Sequence, residues 1–360
     1  MSSALLSIER ATQGYENWLA TQTSVVRADV QFKHRKMAAD PFTFLRGTFY
    51  RWLQIWPAIC EPLCDAPQVF AVGDLHVENF GTWRDAEGRL IWGINDVDEA
   101  CTLPYTQDLV RLATSARLAL ELGHLDLSFH QACQALLDGY RSSLDCGGRP
   151  IVLAEHHRWL QQIAVTELKD PAKFWTEMGA LTPASGHVPR RMILAAFPRG
   201  ATHVRIYRRV AGVGSLGRPR FAAIGSVGGS AVAREAKALI PSAAIWIRGR
   251  GAPRRTAVSM LERAVRVSDP FLTVRGRWVL RRLAPDCAKI NIGQLPRRRD
   301  DRKLLRAMGW ETANLHLASG RARNLTNDLD RRPRPWLERA AGAMSEAVVE
   351  DWRAWARRHR

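Results

Sequence analysis

Residues 70–100, FAVGDLHVENFGTWRDAEGRLIWGINDVDEA, hold the pattern on which the fold and function of this chain turn. A short apolar run, Val69 to Val72, delivers Gly73 and Asp74 into a loop, and Asn79 follows five residues after Asp74. Asp85-Ala86-Glu87-Gly88 has the composition of a turn, and Leu90-Ile91-Trp92-Gly93-Ile94 is a β-like run ending on Asn95-Asp96-Val97-Asp98-Glu99. The expectation is two paired strands whose end loops present a carboxylate with an amide, and a second cluster of carboxylates. Phosphoryl transfer uses that set: one carboxylate orients the attacking hydroxyl and accepts its proton, while an Asn and another Asp hold magnesium against a triphosphate. The plainer alternative is an acidic hairpin with Asp and Asn as turn and cap residues.

The spacing resembles the catalytic and metal-binding loops of the protein-kinase-like superfamily, in the form used by aminoglycoside and choline kinases. There the catalytic loop reads G-D-x-H-x-x-N, and a second strand ends in I-D-x-x-D/E-A. Carried over by position, the resemblance implies a catalytic base at Asp74, metal ligands at Asn79 and Asp96, and a loop brace at His76. Asp98 would hold a second ion or a water. Asp108-Leu109 matches the D-L-A that opens the next helix in those kinases, where the Asp ties down the catalytic-loop backbone.

Upstream, apolar spacing from Leu5 to Leu19 suggests one helix, and Asp40 to Trp56, DPFTFLRGTFYRWLQIW, opens with a cap-and-proline signal and continues as another. KHRKM (Lys33–Met37 with His34) and Arg46-Gly47 also match an uncharacterised bacterial family, domain-of-unknown-function family 2252. Its members resemble this chain in K-x-R-K-M, P-F-x-F-L-R-G, G-D-x-H-x-x-N-F-G and N-D-x-D-E, in that order. Arg46 is open to two roles, a phosphate contact or a structural salt bridge.

The chain is long enough for a sizeable core, and its 46% hydrophobic and 24% charged residues are ordinary for a soluble protein. No apolar stretch approaches a membrane span or a signal-peptide core, so no membrane partner and a cytoplasmic location are expected. The six cysteines form no disulfide framework, and Cys60-x-x-x-Cys64 has no partner pair for zinc. A net charge of +18 permits nucleic-acid binding, but the 53 basic residues, only seven of them lysine, are spread without a binding motif. Nucleic acid is therefore a weaker reading.

Helices are expected again from Thr106 to Tyr140, with Thr106 and Asp108 as caps. The region 147–200 carries no legible chemistry, though PASGHVPRR (Pro183–Arg191) looks mobile. At Tyr207 a second motif begins: YRRVAGVGSLGRPRFAAIG contains Gly212, Gly214 and Gly217 in G-x-G-x-x-G spacing. Pro219 and the alternating run that follows favour a strand, not the helix of a dinucleotide fold. A strand, a glycine turn and a second strand is how kinases drape backbone amides over nucleotide phosphates. The next strand, GSAVAREAK, ends on Arg234 and Lys237, which face opposite sides of a regular strand. Either could reach the phosphates; the alignment favours Arg234, with Glu262 as ion-pair partner on a helix over Arg254–Val267. Phe271–Leu283 reads as a hairpin turning near Gly276, Leu283–Cys287 as a hinge, and Asp301–Ser319 as a long helix.

In ordinary kinases the glycine loop, lysine strand, hinge and long helix precede the catalytic loop. Here they follow it. The expected fold is thus α+β, a protein-kinase-like two-lobed fold that is circularly permuted, with the catalytic loop N-terminal and the glycine-loop lobe C-terminal. Its parts are residues 1–66, helical; 67–200, catalytic loop and helices; 201–287, the glycine-loop β region; and 288–360, helices completing the other lobe. The tail from Pro335 to Arg360 is expected to pack as an amphipathic helix. The expected function is an ATP- and magnesium-dependent phosphotransferase acting on a hydroxyl of a small molecule or protein, with a pseudokinase scaffold as the rival. Neither the acceptor nor ATP over GTP is legible.

Overall fold

The computed structural model describes residues 6–168, 170–249, 256–287, 289, 291–295 and 299–359. It is an α+β fold whose strands are β1 (Gln68–Ala71), β2 (Phe80–Arg84), β3 (Leu90–Ile94), β4 (Cys101–Pro104), β5 (Ile151–Val152), β6 (Thr202–Arg208), β7 (Arg220–Val227), β8 (Ser230–Ala238), β9 (Thr273–Arg275) and β10 (Trp278–Leu283). Among the described residues they form three antiparallel sheets, ordered β1-β4, β2-β3-β5 and β6-β7-β8-β10-β9.

The strand leading to Asp74 and the strand leading to Asp96 are not paired with each other, contrary to the expectation. β1 pairs with β4, and β3 pairs with β2 across the Asp85–Gly88 turn. The Asp85 carboxylate fixes that turn by accepting from the Glu87 and Arg89 amides.

The long helix expected from Asp40 is two helices, Pro41–Gly47 and Phe49–Ile59. Asp40 caps the first by accepting from Thr43 N at 2.7 Å. Thr48 leaves helical geometry at φ −128°, ψ 39°, and its hydroxyl turns back onto the Phe44 carbonyl. The helix Tyr105–Glu121 likewise starts without a side-chain cap. Thr106 donates instead to the Leu63 carbonyl, and Asp108 faces the Gly73 loop. The helix expected over Arg254–Val267 spans Thr256–Arg263, and Arg254 and Arg255 lie outside the described residues.

One hydrophobic core joins the N-terminal helices, β1 and β4, the helices Tyr105–Glu121, Phe129–Asp145 and Asp301–His316, and the C-terminal helix Trp336–His359. The last helix packs on Arg27–Ala39, where Trp352 and Trp355 donate indole N–H groups to the Ala38 and His34 carbonyls. The five-stranded sheet has a small apolar cluster on each face: Phe174 and Met178 meet Ala222, Ala233 and Leu283 on one, and Ile193 meets Phe221, Ala223, Ala236 and Leu280 on the other. No helix among the described residues is long and apolar enough to cross a membrane.

Helices Phe129–Asp145 and Asp301–His316 approach backbone to backbone through two glycines. A Cβ at Gly309 would land on the Leu136 carbonyl, and one at Gly139 on the Arg306 carbonyl. Backbone cannot move aside as a side chain can, so Gly309→Ala should destabilise by about 1–3 kcal/mol. Gly179→Ala, which meets nothing within 4 Å, should be neutral. Urea midpoints measure both, and equal midpoints would refute the close crossing.

Candidate functional site

The Asp74 loop is pinned from below. Asp108 accepts from Val72 N at 2.6 Å and from Gly73 N at 2.9 Å, so both carboxylate oxygens hold loop backbone. Gly73 has φ +82°, and a Cβ there would strike the Glu99 carbonyl and the Phe49 ring, so the turn into Asp74 requires glycine. Asn79 closes the loop over. Its Nδ2 donates to the Asp74 carbonyl at 3.3 Å and to the Asp96 carbonyl at 2.9 Å, tying together two segments that no strand pairing joins. Its Oδ1 is buried and has no hydrogen-bond partner. His76 Nδ1 accepts from Glu78 N at 3.2 Å. Burial foremost, with Arg46, Lys289 and Arg111 nearby, keeps that imidazole neutral, well below its usual range.

Asp74 is held by Arg111, whose Nη2 bonds its Oδ1 and also reaches the Leu45 carbonyl at 2.8 Å. Arg111 is fully buried and lies over the rings of Phe49 and Trp52 at 5.2 and 5.1 Å. Burial pushes the Asp74 carboxyl upward, and the Arg111 charge opposes it. The sequence argument did not single out Arg111. Its signal was present all the same: it stands three residues after Asp108 on one helix, hence on the face that meets the loop.

Asp96 ion-pairs with Lys237 at 3.0 Å and Lys289 at 3.2 Å, and Lys237 also pairs with Asp98. Burial alone would raise Asp96, but Lys237, Lys289 and Arg281 outweigh it and hold the carboxyl well below the usual range. Asp98 goes the other way, raised first by burial and then by the Asp96 charge. Glu99 is structural: it accepts from Arg218 at 2.8 Å and from Ala243 N at 2.7 Å at the start of the helix Ala243–Arg248.

The glycine segment arrives from the other half of the chain. Gly212 and Gly214 line one pocket with Asp74, His76, Asn79, Asp96 and Lys237. A Cβ at Gly214 would lie 3.2 Å from Asp74 Oδ2. Gly217 sits apart, packed on Val30, and its carbonyl accepts from Val26 N. Beyond Gly212 a second cleft of about 740 Å³ runs past Arg209, Arg220, Arg281 and the segment Leu283–Cys287, next to Phe174.

The expectation that Arg234 points into the cleft and Lys237 outward is reversed. Arg234 lies on the opposite sheet face, donates to the Ala196 carbonyl at 2.8 Å, and sits over Phe197 and Phe271. Alternation along β8 demands this once Lys237 faces Asp96. Glu262 is exposed at the end of Thr256–Arg263 and is partner to neither cation. The inward carboxylate is Glu235, two residues before Lys237 and on its face. Arg46 takes the structural role of its two alternatives, an ion pair with Glu78, while still lining the pocket.

Two outcomes follow from the buried charges. Asp74→Ala strands the Arg111 guanidinium without its partner and should cost about 3–5 kcal/mol, most of it recovered in Asp74→Ala/Arg111→Met. Chemical denaturation of the single and double variants measures this; additive losses would show that the pair is not coupled. The second concerns Glu311, which lies beneath β3 and accepts from Ile94 N and Asn314 Nδ2. Burial pushes its carboxyl up to about 7, against the pull of Arg266. The folded protein thus holds that proton more tightly than the unfolded chain, and the contribution present below pH about 4.5 is lost as pH rises towards 7. Glu311→Gln should flatten stability across that window, and an unchanged slope in urea midpoint against pH would exclude the assignment.

No curated protein matches the chain, and no solved structure does. Residues 25–199 match the family described as "Uncharacterized protein conserved in bacteria (DUF2252)". The matched span includes KHRKM, the Asp74 loop and the Asp96 loop, and ends before the glycine segment. That match supports the bacterial family identity read from those motifs.

Proposed function

We propose that the protein is a nucleotide-dependent phosphotransferase with a circularly permuted kinase-like arrangement, moving a phosphoryl group from ATP to a hydroxyl acceptor. One observation carries the reading. Asp74, Asn79, Asp96, Lys237 and the Gly212–Gly214 turn come from segments up to 163 residues apart and line a single pocket. The permuted order gains support from the helix Asp301–His316, whose following turn meets β1: Phe70 N donates to Ser319 Oγ at 2.7 Å. In a kinase the chain would run directly from that helix towards the catalytic strand.

Asp74 presents Oδ2 to the acceptor, because Arg111 occupies Oδ1. Oδ2 orients the hydroxyl and takes its proton as the oxygen attacks the γ-phosphorus and the bond to the departing diphosphate breaks. Arg111 opposes the upward push of burial on the Asp74 carboxyl. Backbone at Gly212 and Gly214 can approach phosphate oxygens because no Cβ intervenes, and Lys237 and Lys289 are lysines lining the same pocket. Magnesium fits the donor set. The Asn79 Oδ1 is a buried oxygen without a partner, and Asp96 beside it is held ionised. Two protein oxygens are a number magnesium accepts when phosphates complete its shell. When bound with the nucleotide, it supplies neutralisation of phosphate charge.

A nucleotide-binding protein without turnover is the second reading, and one contact favours it. Lys237 is engaged by Asp96 and Asp98 themselves, and the helix Thr256–Arg263 sends no carboxylate to it.

Titration calorimetry with Mg-ATP and a labelled γ-phosphate transfer assay into extract metabolites separate the two. Asp96→Ala and Lys237→Ala should abolish or strongly weaken Mg-ATP binding, whereas Arg234→Ala should leave it within about twofold. Asp74→Asn should retain binding and lose about 10²–10⁴ in transfer rate. Wild-type binding without any transfer selects the second reading, and absence of Mg-ATP binding sinks both.

A further inference from the structure

Away from the Asp74 and Asp96 loops, the densest charge cluster faces the large cleft from the underside of the five-stranded sheet. Glu235 on β8 is 1% exposed and accepts from three arginines. Arg220 reaches it twice, Nε at 2.6 Å and Nη2 at 2.9 Å; Arg281 reaches it through Nε at 2.5 Å; Arg209 reaches it through Nη1. One negative charge therefore meets three positive ones. The further bonds of these arginines go to neutral acceptors, Arg220 Nη1 to the Ala211 carbonyl at 2.6 Å and Arg281 Nη1 to Asn95 Oδ1 at 2.9 Å. Asp96 and Asp98 act on Arg281 from a distance, but Lys237 and Lys289 already engage them.

A charge taken out of water without a counter-charge is costly, so a surplus of this size at a cavity wall calls for an anion. Against burial, Glu235 and then Asp96 raise Arg281, so the crowding of charge shows at Arg209. Burial lowers Arg209 first, Glu235 opposes that, and the neighbouring Arg220 and Arg281 lower it further. All three side chains line the cleft of about 740 Å³, together with Gly212, Lys289, Arg266 and Arg282; the carboxylates Asp170, Glu177 and Asp269 also line it but leave cations in excess. Guanidinium forks match phosphate oxygens in pairs.

We propose that Arg209, Arg220 and Arg281 form a phosphate-binding site, holding a phosphate group of a ligand that lies in the cleft beside Gly212. The site needs neither magnesium nor Lys237, and so goes beyond the phosphotransferase reading. The phosphate could belong to the nucleotide or to a phosphorylated acceptor; the recognising chemistry is the same.

The test uses the full-length protein and magnesium-free pyrophosphate, with sodium chloride matched in ionic strength as control. Pyrophosphate should raise the Tm of the wild type beyond chloride. Arg209→Gln leaves Glu235 with two cations, so its ligand-free Tm should equal or exceed that of the wild type. Its pyrophosphate affinity should fall at least about tenfold, the scale of one charge-assisted bond. Arg281→Gln should lose affinity likewise, and Arg205→Gln, on an exposed position of β6, should lose none. No shift beyond chloride, or a pyrophosphate affinity in Arg209→Gln equal to the wild type, overturns the site. A drop in ligand-free Tm with affinity intact also overturns it, by making the cluster a purely structural anchor for Glu235. Competition with Mg-ATP then names the source. Mutual exclusion assigns the phosphate to the nucleotide, simultaneous binding assigns it to the acceptor, and either result upholds the site. Loss of Mg-ATP binding in Asp96→Ala with pyrophosphate binding retained keeps the two readings apart.

Discussion

The Asp108 carboxylate is the constraint on which the rest of the site depends. It is fully buried and accepts from Val72 N, Gly73 N and the imidazole of His316 at 3.0 Å, and Tyr140 bonds the far side of that imidazole at 2.8 Å. Three elements thus meet at one side chain, the helix Tyr105–Glu121, the end of β1 and the helix Asp301–His316, and the helix Phe129–Asp145 joins them through Tyr140. An unpartnered buried amide costs about 1–3 kcal/mol, and here two amides and a histidine would lose their acceptor together. The loop that carries Asp74 has no sheet partner of its own beyond Ala71. Its position is therefore set by Asp108 below and by Asn79 above, more than by strand pairing.

Charge is distributed around that loop in three units that behave differently. Asp74 with Arg111 is a single pair of a half-buried carboxylate and a fully buried guanidinium, so removing Asp74 leaves an expensive orphan. Asp96 shares Lys237 with Asp98 and has Lys289 besides, and with Arg281 these cations hold it well below its usual range despite burial. Glu235 has three arginines and is likewise held far below its usual range, with burial overruled by Arg220, Arg281 and Arg209 in that order. Positive charge thus grows from the Asp74 loop towards the large cleft. An anionic ligand entering there would meet Arg209, Arg220, Arg266, Arg281, Arg282 and Lys289, offset in part by Asp170, Glu177 and Asp269 on the same wall.

Much of this was legible in the sequence, and the failures have physical causes. Asp74, Asn79 and Asp96 were singled out by motif spacing and Gly212 and Gly214 by the glycine pattern, and the structure brings them to one pocket. Strand periodicity shows that Arg234 and Lys237 face opposite ways, but not which face looks into the cleft. That choice is made by partners distant in sequence, Asp96 for Lys237 and the Phe197 and Phe271 rings for Arg234. Gly217 fits the glycine spacing yet serves packing on Val30, since a motif records absence of side chain without recording the reason for it. The break at Thr48 was missed because the apolar face continues across it. Arg111 was missed because a basic residue on a helix ordinarily points to solvent; its place three residues after Asp108 gave its face, but not the ring faces of Phe49 and Trp52 that enclose it.

The order of the chain bears on how the site can be assembled. The family match ends at residue 199, so it contains Asp74, Asn79, Asp96 and Arg111 but not Gly214, Lys237 or Lys289. Within the matched part Asp74 already has its counter-charge, whereas Asp96 and Asp98 have none among the residues that touch them. Two neighbouring buried carboxylates without cations repel each other and take up protons, which removes the anionic pair that the proposed chemistry needs. Lys237, delivered by β8, pairs with both and opposes that repulsion, holding Asp96 down while Asp98 stays raised. In turn, β8 is placed by Glu235 and its arginines on β7 and β10. The second half of the chain therefore does more than cover the first. It sets the ionisation of the Asp96 loop, and any chain order that returns β8 to that position would do so equally well.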